Sequence, residues 1–143
     1  MARRAHVSAR PDPAQLHAVV PTIVLHLVVA GINATAALSI GANPAPVAAT
    51  GLAACALGLP VVGLALSLAG WTRIGAALVA LTYISCAGLA LYNFLGLGAL
   101  ETALLSPAAS WKIVYFTTAV MLPLLQIKGI LETGKVLLAD NHR

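Results

Sequence analysis

The stretch LHAVVPTIVLHLVVAGINATAALSI, Leu16 to Ile40, carries no Lys, Arg, Asp or Glu. An α-helix of about 20 such residues crosses the ~30 Å hydrocarbon core of a bilayer. Lipid in turn admits only elements whose backbone donors and acceptors are satisfied internally. Two comparable runs follow, Val47 to Ala69 and Ile74 to Gly98, and then a shorter one, Ile113 to Ile127. Between them lie GANPAP (Gly41 to Pro46), GWTRIG (Gly70 to Gly75) and the looser ALETALLSPAAS (Ala99 to Ser110). Their Gly, Asn, Ser and Pro residues punctuate turns.

Ser106-Pro107 supplies an N-cap and a first-turn proline for the fourth helix. Lys112 and Lys128 can reach from its ends to the headgroups. The expected fold is all-α, an integral membrane four-helix bundle with spans over 16–40, 47–69, 74–98 and 107–128. Residues 1–15 form an N-terminal tail. Residues 129–143 form a C-terminal tail that can continue the last helix, because Leu131, Val136, Leu137 and Leu138 keep it apolar. MARRAHVSAR followed by an apolar run and Ala34-Thr35-Ala36 also has the layout of a secretory signal. That run is long for a signal, and the segment is read as a retained first helix.

Only 8% of the residues are charged and 60% are hydrophobic, against about 25% charged in a soluble domain. The formal net charge of +4 does not indicate nucleic acid, since no basic patch is interleaved with aromatics. Seven of the eight Lys and Arg residues, Arg3, Arg4, Arg10, Arg73, Lys128, Lys135 and Arg143, fall on one side of a four-span layout, and only Lys112 on the other. The positive-inside rule then puts both termini in the cytoplasm, with the chain in a bacterial-type inner (plasma) membrane. Trp71 and Trp111 sit where an aromatic belt would be.

The sequence lacks the parts that common activities need. It has no CxxC pair, phosphate-binding glycine loop, zincin motif or nucleophile triad. Asp12, Glu101, Glu132 and Asp140 all lie outside the expected spans, which leaves no embedded carboxylate for proton or sodium coupling. Cys55 and Cys86 lie in apolar runs without ligand spacing and read as small hydrophobes.

What polar chemistry the spans do hold falls into stripes. Thr22, His26, Ala30, Asn33 and Ala37 share one helical face, and Thr82, Ser85, Cys86, Leu89, Tyr92, Asn93 and Gly96 share another. Polar groups there lack partners in lipid and should face the bundle interior. His26, Asn33, Ser85, Tyr92, Asn93 and Tyr115 are therefore the candidate ligand-binding residues. His26 could meet a quinone, haem, pigment or lipid. The expected reading is a neutral imidazole bonded to Asn33, a threonine or a backbone carbonyl, with helix one filling the space beside the third-span stripe. Tyr83 falls off that stripe and is expected to pack elsewhere. No cofactor is required, and the sole conceivable metal set is His26, Cys55 and Cys86.

Small residues suit helix contacts in lipid. Gly51, Cys55 and Gly58 form one such face of the second span, and Gly63 and Ser67 another, re-aimed by a kink at Pro60. The expected function is a non-catalytic membrane subunit or accessory protein, held by the bilayer and by other membrane subunits or by itself. The alternatives are a protein binding a quinone, haem, pigment or lipid, and then a small transporter or channel.

Overall fold

The computed structural model describes residues 13–42, 58–96 and 98–139. Every regular element among them is helical: α1 (Pro13–Ile40), α2 (Leu59–Leu68), α3 (Thr72–Leu91), α4 (Ala99–Leu105) and α5 (Ala109–Ala139). A π-helical turn, Tyr92–Gly96, extends α3. Three helices, α1, α3 and α5, are long and apolar enough to cross a membrane. The first part of the expected second span, residues 47–57 of 47–69, lies outside the described residues. Its kink at Pro60 would fall at their edge.

Only 33% of the most apolar stretch of α1, 33% of that of α3 and 22% of that of α5 is buried within the protein. The rest is apolar surface turned outward, including Val28, Ile84, Ile113 and Leu124. Helices apolar on all sides suit lipid or a large core, and this outward apolar surface is compatible with contact to a bilayer.

α5 is the central element, packing along both α1 and α3, while α2 packs on α3. Contacts between α1 and α5 pair Thr22 with Glu132, His26 with Gln126 and Asn33 with Thr118. The two helices therefore run antiparallel. Val19 and Ile23 of α1 share a buried cluster with Val79 and Tyr83 of α3. A second cluster joins Ala36, Ala37 and Ile40 to Ala99, Ala103 and Tyr115.

α2 and α3 form a tight hairpin. Gly70 has φ of 94°, a left-handed conformation that only glycine adopts at little cost. The Gly70 N–H donates to the Ser67 carbonyl and the Trp71 N–H to that of Leu66, which closes the end of α2 as a Schellman motif. Beyond the turn the backbones approach closely. A Cβ at Gly75 would overlap the Ser67 hydroxyl and the Gly63 carbonyl, and one at Gly63 would lie 2.6 Å from Val79 Cγ2. Gly63 and Ser67 of the expected small-residue face therefore lie against Gly75 and Val79 of α3. Gly58 is exposed with open space around it, and Gly51 and Cys55 lie outside the described residues.

Two expectations about the fourth helix change. It begins at Ala109 rather than at Pro107, after Ser106, whose hydroxyl accepts the Ala108 N–H. Lys112, expected to reach for headgroups, donates instead to the Leu104 carbonyl at 2.7 Å, satisfying an orphan acceptor at the end of α4.

Candidate functional site: the buried polar seam of α1, α3 and α5

The α1–α5 contact is polar at three levels. At the end nearest the start of α1, the Thr22 hydroxyl donates to Glu132 Oε2 at 2.7 Å and accepts from Lys128 Nζ at 2.8 Å. Lys128 and Glu132, one turn apart, pair at 3.0 Å. The Lys128 side chain is 57% exposed and that of Glu132 only 17%, so a lysine on the outer surface turns its ammonium in toward a carboxylate held inside. This corrects the sequence reading, which left Glu132 outside the spans. α5 stays helical and apolar past Lys128, and its candidate span runs Ala109–Leu138. A helix of that length exceeds the ~30 Å core and must tilt or project. Glu132 belongs to the packed bundle.

At the other end of the seam, Asn33 Nδ2 donates to Thr118 Oγ1 at 2.8 Å and to the Tyr115 carbonyl at 3.3 Å. The Tyr115 ring packs edge-on to Phe116 with centroids 5.6 Å apart and stacks on Phe94 at 6.4 Å.

The middle level is the deepest. His26 from α1, Tyr83 from α3 and Gln126 from α5 are 2%, 0% and 3% exposed. The His26 and Tyr83 rings meet edge to face at 5.1 Å and 86°. Gln126 Nε2 lies 3.4 Å from His26 Nε2, a long contact. A Cβ at Gly129 would overlap the Tyr83 ring, so this glycine makes the room that the tyrosine fills. His26 Nδ1, Tyr83 Oη and Gln126 Oε1 are buried without a hydrogen-bonding partner among the described residues. Each such atom costs about 1–3 kcal/mol, and three of them on touching side chains are exceptional.

The structure brings some of the sequence-derived candidates together and separates others. Asn33 meets Tyr115 through the latter's backbone. His26 meets Gln126 and Tyr83 rather than Asn33 or a carbonyl. Tyr83, expected to pack elsewhere, is the most buried large side chain. Ser85 is half-buried, Cys86 is buried and Tyr92 is 59% exposed. The Asn93 side chain lies outside what is described. The buried face of α3, Thr72, Gly75, Ala76, Val79, Thr82, Tyr83 and Cys86, is turned by roughly 80° from the stripe read in the sequence. Fitting Tyr83 over Gly129 sets that rotation. Tyr92 is carried outward near a helix end, where an aromatic belt suits it. Cys55, one third of the conceivable metal set, lies outside the described residues. Among those residues no three His, Cys, Asp or Glu side chains form a metal-binding group.

Gln126 was missed because it stands alone in an apolar run. A signal was present, since Tyr115, Thr118, Gln126, Gly129 and Thr133 recur at helical spacing on one face. Two cavities among the described residues lie away from the His26 junction. One is an open groove of about 410 Å³ lined by Ile40, Glu101, Leu105 and Pro107. The other, about 10 Å³, is lined by Val19, Leu64, Val79 and Val136, at most the room of a single water.

Among the described residues the protein is all-helical, with three helices long and apolar enough to cross a membrane, and the α1–α5 contact holds buried Thr22, His26, Thr118 and Gln126. No known protein family, curated protein or solved structure matches the chain.

Proposed function

We propose that the chain is a non-catalytic subunit or accessory protein of a larger membrane assembly. In this reading it is a four-helix bundle in an inner (plasma) membrane with both termini cytoplasmic. The observation that carries the proposal is the fate of the polar side chains in α1. Thr22, His26 and Asn33 are each taken up by α5 instead of lining an open cavity, while the outward surface is apolar. Interhelical hydrogen bonds of this kind hold helices together in lipid. The orientation rests on the seven-to-one distribution of Lys and Arg.

Purification from its native membrane in mild detergent, followed by native mass spectrometry, tests this. The expected result is an assembly containing other membrane polypeptides or further copies of the chain. A lone monomer that carries an activity of its own would sink the proposal.

One observation favours a second reading, ligand binding at His26, because three atoms at that junction lack partners among the described residues. An absorption spectrum of the same preparation tests for haem or pigment. A colourless sample removes both.

A further inference from the structure

We propose that the groove between the end of α1 and α4 holds a membrane lipid whose headgroup carries a primary ammonium, of the ethanolamine class. The inference rests on the chain lying in a bilayer and is independent of whether it has a partner subunit. The groove, about 410 Å³, has the size of a small-molecule site, and its lining is amphipathic. Ile40, Leu105 and Pro107 supply an apolar wall, and Glu101, Thr102 and Ser106 a polar one. Leu104 and Leu105 of α4 stand 60% and 77% exposed, which suits an acyl chain lying against them at the membrane surface.

The polar wall calls for hydrogen-bond donors. Glu101 is exposed and has neither an ion pair nor a hydrogen bond among the described residues. An ionised carboxylate only accepts. The Thr102 hydroxyl directs its proton to the Gly98 carbonyl at 3.0 Å, so it too is left as an acceptor. Ser106 is buried and its oxygen takes the Ala108 N–H, so one hydroxyl proton is all it can give. A primary ammonium brings three donors and a positive charge. A choline headgroup brings the charge without any N–H, and an anionic headgroup meets the Glu101 charge with its own. A second copy of the chain fits less well. The one Lys or Arg on this side of the proposed four-span layout is Lys112, and its ammonium is held by the Leu104 carbonyl at 2.7 Å.

The test is native mass spectrometry of the full-length protein, stripped of lipid in detergent. It is titrated with phosphatidylethanolamine, phosphatidylcholine and phosphatidylglycerol of identical acyl chains. The parent should take one phosphatidylethanolamine per chain roughly three- to fivefold more tightly than either competitor, the margin an exposed ion pair gives. Glu101→Gln, an isosteric change on an exposed side chain, should bring the ethanolamine and choline lipids to parity while leaving the unfolding temperature in place. Glu101→Lys should reverse the order in favour of phosphatidylglycerol. Equal affinity of the parent for the ethanolamine and choline lipids would overturn the proposal. So would an order of preference left unchanged in either variant. Dimers that form in place of lipid adducts and dissociate in Glu101→Gln would give the groove to a second copy and overturn it too.

Discussion

At the scale of single residues, Gly129 and Tyr83 decide how the bundle closes. The glycine is not there for its backbone freedom, since it lies within α5. It is there because any Cβ would enter the Tyr83 ring. Gly129→Ala should therefore destabilise the protein by about 1–3 kcal/mol, as overpacking of a close contact does, although alanine is the better helix former. Thermal unfolding in detergent measures this. Adding Tyr83→Leu should recover part of the loss, whereas two unrelated effects would simply add. Much of this scale was illegible in the sequence. His26 could be recognised as an interior group because an ionisable side chain in an apolar run stands out. Its partners could not, because Gln126 lies far along the chain and the rotation of α3 is fixed only when Tyr83 finds its gap.

Whole helices were easier to read. Lipid imposes a length and an apolar composition that soluble folds do not, so the spans of α1 and α3 are visible in hydropathy alone. The end of α5 was not, because Lys128 resembles a boundary while Leu131, Val136 and Leu138 continue the apolar pattern beyond it. The α2–α3 hairpin shows a contact that the sequence did suggest. Gly63 and Ser67 stood out as a small-residue face, and Gly75 meets it from the other helix. Gly75→Val should force the two helices apart, since its Cβ would collide with the Gly63 carbonyl and the Ser67 backbone nitrogen, which cannot turn away, as well as with the Ser67 hydroxyl. Oxidative cross-linking between cysteines at Ser67 and Ala76, formed readily in the parent background, should be lost with that substitution. Undiminished cross-linking would mean that the close approach is not required.

For the molecule as a whole, the proposed four-span topology makes a prediction about sidedness. Single cysteines introduced at Ser106 and at Lys135 should label from opposite faces of the membrane with an impermeant thiol reagent, Ser106 from outside and Lys135 from the cytoplasm. Equal labelling of both from one face would contradict the proposed orientation. The pairing of the first helix with the last also has a consequence for biosynthesis. Partners on α1 and α5 are separated by 82 to 110 residues. At roughly 5–20 residues per second, α1 leaves the ribosome several seconds before the helix that receives Thr22, His26 and Asn33 exists. During that interval its polar face needs a temporary host, such as the insertion machinery or a membrane chaperone. A chain stopped before α5 would keep those side chains unmet, which gives a quality-control protease a direct way to distinguish unfinished copies from complete ones.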